Sequence, residues 1–555
     1  MMDRYQLLGK GLFPEVLPPC FVSSDIKRAL AGLIGKLEKK QFQGKRSAAY
    51  SRYSGTKHDG NRRLYGTPNP ILYLNVCSFI QNNWKTFEGR FKSSPFSIST
   101  PRIGGESDDR AIIVPTLSEL PEKVSSKIRF APFVLKADIS QFFASIYTHT
   151  IPWSAHGVAA AKLDRDKKSK KVRFNKLDFF VQNTQSAQTR GLLVGPDAFR
   201  LIAEFIACDI DANLQEFASP LIIGAARHVD DFYIGVKSEV DALTVLSHLR
   251  EVLQSYELQV NDAKTKIISG LEPIDDIWAQ EIRKLRIRGL FLRDASNVSH
   301  IIDKAVDLQK TLRTESPIKI VLRRFDKEKC YETWAWQVLE PKLQRMLFHF
   351  PHCTDYILLL AAKRFATGEG VDVDGWRDAI FHLIARYQAL NHHHEIVWLL
   401  WFLFVCRIDL GSDMLIQMER STNPHIGSLL IQAYIDGRCS KKPVVRFQNK
   451  LPTTGEDWLL NLVARSTGFT KAPFGDELKE EFEHMAHRNV KIIDFDQHMI
   501  RIKSSKVSAI SQSRYGYDSD SSPDIDPDPD HEVELGYKPP ALRMPWDRPI
   551  DDEDF

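Results

Sequence analysis

The chain has 555 residues, 43% hydrophobic and 26% charged, with a formal net charge of only +4. That length and balance exclude a small disulfide-stapled module, a fibrous repeat and a wholly disordered chain, and leave room for roughly two to four folded domains. Seven scattered cysteines without a C-x-x-C pair argue against a disulfide framework or a zinc site, so a reducing, cytoplasmic setting is expected.

The segment Gly11-Leu-Phe-Pro-Glu-Val-Leu-Pro-Pro-Cys-Phe21 reads as extended and proline-rich, and a helix is expected around Asp25–Lys40. Residues 41–66 are basic and polar. Pro68 and Pro70 then precede an apolar helix ending near Asn82-Asn-Trp84. Residues 95–137 read as short strands, including Ala111-Ile-Ile-Val114 and Phe133-Val-Leu135. Gly191–Leu214 reads as a loop feeding a long helix, with Leu201, Phe205, Cys208 and Ile210 inward. From Ile301 to Gly437 helical periodicity dominates, with Trp376, Ile380, Leu383, Ile384 and Tyr387 on one face. The greasiest run, Ile396–Cys406, is too short to span a bilayer and reads as a buried helix, so no membrane partner is expected. His392-His-His-Glu395 before it reads as a helix start rather than a metal cluster, because adjacent helical residues point in different directions. Residues 440–510 are mixed in character. From Ser511 the chain turns to Ser, Asp and Pro, the composition of a disordered acidic tail.

Two adjacent carboxylates dominate the chemistry. Asp230 and Asp231 stand at the turn of a predicted hairpin, Ala226-Arg-His-Val-Asp-Asp-Phe-Tyr-Ile-Gly235. A third, Asp138, follows the apolar strand in Val134-Leu-Lys-Ala-Asp-Ile-Ser-Gln-Phe-Phe-Ala-Ser-Ile146. Like charges at a buried turn are unfavourable unless a cation compensates them, and a divalent metal is the simplest such partner. Acids from two strands meeting at one sheet edge are what two-metal phosphoryl transfer needs. The set would then be Asp138, Asp230 and Asp231, with the carbonyl of Ile139 as a further ligand, holding two Mg²⁺ ions or Mn²⁺ in their place. One ion would lower the pKa of an attacking 3′-hydroxyl, and the other would neutralise triphosphate and leaving pyrophosphate. The plain alternative is that Asp-Asp pairs are common at turns. Lys167-Lys-Ser-Lys-Lys171 with Arg173 is a basic run suited to a phosphate backbone, or simply a solvated loop. In particular Lys167, Lys168, Lys170, Lys171 and Arg173 are candidate nucleic-acid contacts.

These contexts resemble the palm of reverse transcriptases. Asp138 matches motif A, and His228-Val-Asp-Asp231 matches the aromatic-x-Asp-Asp box of motif C. Gln188-Thr-Arg-Gly-Leu-Leu-Val-Gly-Pro-Asp-Ala-Phe199 is similar to motif B, and Leu258-Gln-Val-Asn-Asp-Ala-Lys-Thr-Lys-Ile267 to motif D. Ser145-Ile-Tyr-Thr-His-Thr-Ile-Pro-Trp153, with Gln188-Thr-Arg-Gly191 and Gly195-Pro-Asp197, narrows the resemblance to the bacterial abortive-infection and defence-associated reverse transcriptases. The likeness covers about residues 8–270 by motif and the remainder by architecture.

The resemblance implies an α+β right-hand polymerase core, fingers and palm, at residues 35–275. An extended segment (1–34) precedes it, and an all-α, helical-repeat-like domain (276–510) and the acidic tail (511–555) follow. It implies a Mg²⁺-dependent DNA polymerase acting against phage, using dNTPs with an RNA or DNA template and primer or a non-coding RNA. Several family members work without an ordinary template or prime from a protein side chain. Tyr5, Tyr50 and Tyr53 are candidates for that hydroxyl, and a homo-oligomer is a further expectation. Phe143 falls where the family places its sugar gate, or is a core ring beside Phe142. Lys264, with Lys266 as fallback, is placed to donate a proton to pyrophosphate or to hold phosphate charge. Arg110, in competition with Arg62 and Arg63, is a candidate triphosphate clamp. Val194 stands before Gly195 where motif B usually has Gln, which points away from ordinary template and primer handling; both are candidate nucleotide contacts. His228 replaces the usual aromatic residue of motif C, and its flat ring can pack similarly. The rival readings are a catalytically silent, nucleic-acid-binding phage-sensing scaffold and an RNA polymerase on the same palm, which Phe143 disfavours.

Overall fold

The computed structural model describes residues 5–496, apart from 34, 36, 38, 39, 41, 43–46, 58, 116–118, 275, 288–294, 313–315, 419, 420 and 422. The segment read as an acidic tail lies outside the described residues. The N-terminal part holds α1 (Gln6–Gly11) and α2 (Ser24–Ala31); the expected helix to Lys40 is broken at Gly32, with Gly35, Leu37 and Lys40 helical again beyond it. The basic stretch read without structure contains a hairpin, β1 (Ser51–Thr56) with β2 (Arg62–Thr67). Small and polar side chains hide its alternation, and its buried face is carried by aromatic residues, with Tyr53 stacked on Tyr65 at 5.1 Å.

Then come α3 (Pro70–Asn82) and α4 (Trp84–Ser93). Asn69 caps α3 through a 3.0 Å bond from the Ile71 N–H, and Pro70 occupies the first turn, where no donor is lost. A short pair, β3 (Arg102–Ile103) with β4 (Ile112–Ile113), leads to α5 (Leu120–Ile128), a helix within the stretch read as strands. Next are β5 (Phe133–Asp138), α6 (Phe142–Ser145), α7 (Thr150–His156), α8 (Val158–Leu163), α9 (Asn175–Asn183) and the long α10 (Asp197–Ala218). The hairpin β6 (Gly224–His228) and β7 (Asp231–Val236) is followed by α11 (Glu239–Ser255) and β8 (Lys266–Ser269).

Strands β5 to β8 form an antiparallel sheet of order β6-β7-β5-β8. Its period-two alternation assigns its faces. Leu135, Ala137, Phe232, Ile234 and Val236 enter the main core, which α10 and α11 share. Val134, Ala226, Tyr233 and Ile268 meet Val124 and Ile128 of α5 in a smaller cluster on the other face. Lys136, Asp138 and Asp231 belong to that second face, in register beyond the apolar cluster.

The rest is helical: α12 (Ile277–Lys284), α13 (Ala295–Thr311), α14 (Pro317–Lys327), α15 (Trp336–His349), α16 (Thr354–Ala366), α17 (Val373–Ala389), α18 (His393–Val405), α19 (Gly411–Met418), α20 (Pro424–Ile435), α21 (Trp458–Ser466) and α22 (Lys479–His487). Successive helices pack on one another, and the predicted inward face of α17 is buried throughout. Every residue from Ile396 to Val405 is buried, as its unbroken apolar run requires. The core is continuous across this half and the sheet-bearing half. Helix α18 packs on β1, the Ala49 N–H donates to the Thr454 carbonyl at 2.8 Å, and the Val22 N–H donates to that of Ile492 at 2.8 Å. The mixed region after residue 440 thus carries the chain back to its N-terminal segment. No helix among the described residues is long and apolar enough to cross a membrane. All seven cysteines are buried and unbridged.

Candidate active site

The hairpin turn places two acids against the end of β5. His228 pairs with Asp231 across the turn, so Val229 and Asp230 form a two-residue loop. Val229 has φ 57°, the positive value that the first position of such a turn demands and that a β-branched residue resists. Asp138 lies directly opposite Asp231 in the ladder between β5 and β7, and the Ile139 N–H donates to the Asp230 carbonyl at 3.2 Å. Directly opposed side chains on antiparallel strands lie about 5 Å apart at their β-carbons. The three predicted acids therefore share one end of one sheet.

Their electrostatics reflect this crowding. Burial, followed by the charge of Asp138, raises the Asp230 carboxyl above its ordinary range. Burial, then the charges of Asp230 and Asp138, pushes Asp231 up to about 7. Two lysines oppose the trend. The ammonium of Lys264 reaches the Asp138 Oδ2 at 2.8 Å, although the lysine side chain is 64% exposed. Burial alone would lower the Lys264 pKa; the bond to Asp138 and the three carboxylates outweigh it and raise it. Lys136 lies over the Tyr233 ring at 5.0 Å, and burial together with neighbouring Lys266 lowers its pKa. Lys266 itself lies in β8, paired in register with Lys136. Of the two motif D lysines, Lys264 is the one that touches an acid.

The loop before β8 clasps Asp138. The Asn261 N–H donates to its carbonyl at 2.7 Å, and the Asn261 side chain to its Oδ1 at 3.1 Å. Among the described residues, no three His, Cys, Asp or Glu side chains stand close enough, as placed, to hold a metal ion directly. Asp138 is turned to Lys264 and Asn261. The donor set nevertheless suits a hard divalent cation: only carboxylate and backbone oxygens, crowded, and short of positive charge.

A buried arginine behind the turn was not anticipated. Arg227 has no exposed surface and contacts two acids of α10. It donates to Asp211 at 2.7 and 2.8 Å and to Glu204 at 3.0 and 3.1 Å. Its remaining reach goes to the Val229 carbonyl at 2.7 Å, while the Val229 N–H donates to the Ser99 hydroxyl at 3.0 Å. The strained turn is thus held from both sides. The sequence does carry a signal for this: an arginine within an apolar strand, and two acids about two turns apart, hence on one face, among the apolar residues of the long helix before it.

Other candidates fall in varied places. Phe142 is buried and Phe143 only half-buried, so the inward member of the pair is Phe142, leaving Phe143 at the margin. The Phe143 carbonyl accepts from the Leu192 N–H at 2.7 Å, which joins motif A to the motif B loop. Arg110 requires correction as a triphosphate clamp. It is buried, ion-paired with Asp197, and donates to the Phe13 carbonyl at 2.7 Å and that of Gly195 at 3.2 Å. Arg62 is likewise committed, to Glu395. Arg63 is exposed, and its charge is felt at Asp230. Gly195 and Val194 are half-buried and packed against the N-terminal segments. A β-carbon on Gly195 would meet Pro14 at 2.4 Å, and the Val194 carbonyl accepts from the Gly66 N–H at 3.3 Å. Tyr5 and Tyr53 are buried, which withdraws both as priming hydroxyls in this arrangement; Tyr50 is half-buried beneath Arg52. Within the basic run, Lys167 lies 4.0 Å over the Phe179 ring and Arg173 bonds Thr86 at 2.8 Å, while Lys168, Lys170 and Lys171 are exposed. Burial lowers the His228 pKa below its ordinary value.

No family model matches the chain, and no curated protein matches it. Among solved structures it is similar to apo telomerase from Candida tropicalis, at 12% identity and TM-score 0.32, over 68% of this chain and 74% of that one. A C-terminally truncated form of the same telomerase matches at 13% identity and TM-score 0.29, over 46% of this chain and 57% of that one. Telomerase from Candida albicans, bound to a fragment of telomeric RNA, matches at 11% identity and TM-score 0.29, over 67% and 70%. Likeness at this level does not establish a shared fold.

Proposed function

We propose that this chain is a Mg²⁺-dependent DNA polymerase of reverse transcriptase type that serves antiviral defence. The observation that carries the polymerase reading is the meeting of Asp138, Asp230 and Asp231 at one sheet end, with two of the three carboxyls pushed upward by like charge and burial. An acid cluster short of positive charge is an unfavourable arrangement that a binding-only protein has no use for. Defence is supported by the motif resemblance alone.

In this reading Asp138, Asp230 and Asp231 hold the metal, with the Ile139 carbonyl as a further oxygen ligand. Bound divalent metal supplies the Lewis acidity that activates a 3′-hydroxyl and neutralises pyrophosphate. Asn261 and Lys264 keep Asp138 oriented until the acids are filled. Arg227 fixes the turn that aims Asp230. Phe143, at the margin of the motif A and motif B junction, favours deoxynucleotides. Arg63 takes the triphosphate-facing role that Arg110 does not. The dNTP, a nucleic-acid template or primer, and a second copy of the chain are the proposed partners.

The contact between Lys264 and Asp138 favours one rival, a nucleic-acid-binding scaffold in which the lysine neutralises the acid permanently. Purified protein incubated with labelled dNTPs or NTPs and Mg²⁺, with and without template, separates the two. Incorporation of dNTPs that disappears in Asp230→Ala supports the polymerase. RNA binding without incorporation of any nucleotide supports the scaffold, and NTP incorporation would identify an RNA polymerase.

A further inference from the structure

A second polar site lies where the segment after α6 runs alongside residues 189–191. The backbone leads there directly. The Gly191 N–H donates to the Ile146 carbonyl at 2.8 Å, Tyr147 bridges to Arg190, and the Thr148 N–H donates to the Thr189 carbonyl at 2.7 Å. The next residue is His149. Its Nδ1 lies 2.5 Å from the Oδ2 of Asp178, on α9. Asp178 is itself buried, and its other oxygen accepts from the Gln182 amide at 2.7 Å. The His149 side chain is 39% exposed, and no protein partner of its Nε2 is present among the described residues.

A buried carboxylate on Nδ1 keeps a proton on that nitrogen and turns Nε2 away from it, so Nε2 gains an N–H to donate only when the ring is an imidazolium. It also favours the imidazolium. The bond to Asp178 raises the His149 pKa above its ordinary value, against burial and against the nearby charge of Arg165. Arg165 is exposed, on the loop after α8, and its only protein bond among the described residues is to the Lys162 carbonyl at 3.2 Å. Lys162 lies 5.4 Å over the ring of Trp153, which packs edge-on against Tyr147. The Arg165 charge is felt at His149, and of the acids flanking Arg165 the Asp164 carboxylate is engaged by the Asp166 N–H and the Ser169 hydroxyl, so a phosphate would meet two cationic groups here. Half-buried aromatic rings beside them suit unstacked bases rather than a closed duplex.

We propose that His149, held by Asp178, forms with Arg165 a phosphodiester-binding site for single-stranded nucleic acid, flanked by Tyr147 and Trp153. The proposal deepens the polymerase reading, since it names where a strand approaching the palm is gripped, and it rests on the chain handling nucleic acid.

The test is binding of a short labelled single-stranded oligonucleotide to the full chain in EDTA, where no chemistry runs, across a pH series. Wild type is expected to bind more weakly as pH rises through the His149 titration. His149→Gln should bind about tenfold more weakly at low pH and lose that dependence. Asp178→Asn should move the inflection to lower pH, a shift that loss of packing alone does not produce. Arg165→Gln, at an exposed position that does not threaten folding, should weaken binding and flatten the salt dependence by about one counterion. Competition by duplex, by dNTP and by inorganic phosphate distinguishes the sources of the anion. Displacement by dNTP in preference to single strand overturns the proposal, as does wild-type binding that matches His149→Gln at every pH or is absent. Failure of dNTP incorporation, with these binding results intact, would remove the polymerase reading and leave this site standing.

Discussion

Glu395 and Asp231 are both carboxylates withdrawn from water, yet they are driven in opposite directions. Glu395, on α18, has no exposed side-chain surface. Burial would raise its pKa, but His394, Arg62 and a 2.5 Å bond from the Thr56 hydroxyl outweigh burial and hold it below its ordinary value. Asp231 has two acids for neighbours, which with burial outweigh the charges of Lys264 and Lys136, and rises to about 7. The chain has cations enough to neutralise either. Where the fold needs a fixed joint, between the β1–β2 hairpin and the helical half, the charge is matched. At the sheet end it is left in deficit, which is what a site awaiting a cation requires.

The largest effect that tests this contrast is on activity. Asp230→Ala should lower dNTP incorporation by at least about a thousandfold with the fold retained, as seen by circular dichroism. Full activity in that variant would end the assignment.

Arg227→Met probes the compensated acids behind the turn. It leaves Glu204 and Asp211 buried without their partner, so an unfolding loss of about 3–5 kcal/mol is expected in urea titration. A loss confined to activity would instead make Arg227 a positioning residue alone.

Asp231→Asn should have the opposite sign. An acid whose folded pKa lies above its unfolded value destabilises increasingly as pH rises through the window between them, here from about 4 to about 7. Without divalent metal, the variant should be more stable than wild type by roughly 2 kcal/mol at pH 8, a figure reduced for partial exposure, and no more stable below pH 4. Added Mg²⁺ should raise the wild-type Tm and leave the variant unmoved.

The smallest expected effect is at the matched charge. Glu395→Gln should cost about 1–2 kcal/mol at pH 7. A depressed folded pKa means that Glu395 contributes its stability above its unfolded value and loses it as pH falls through the folded one, so the difference from wild type should shrink on acidification. Equal and same-signed responses of Asp231→Asn and Glu395→Gln would erase the contrast.

Much of the sheet that carries the acids could be read from residue order. An apolar run ending in Asp138 and a hairpin turning at Val229-Asp230 are local patterns, and local patterns specify strands and turns. The same holds for α10, α17 and the buried run of α18, whose periodicity or sheer hydrophobicity needed no context. The β1–β2 hairpin escaped because its buried face is made of tyrosines and small residues that a basic sequence disguises. Helix α5 escaped because Leu120-Pro-Glu122 begins it inside a stretch of β-like composition.

What residue order determined on its own, then, is the identity and spacing of the three acids and the helical character of the second half, since both arise from neighbours along the chain. Only the tertiary structure decided which cation serves which acid. Arg110 looked available and is consumed by Asp197, Lys264 rather than Lys266 reaches Asp138, and Asp178 finds His149 from another helix. Ion pairs are settled by distance in space, to which a one-dimensional pattern has no access.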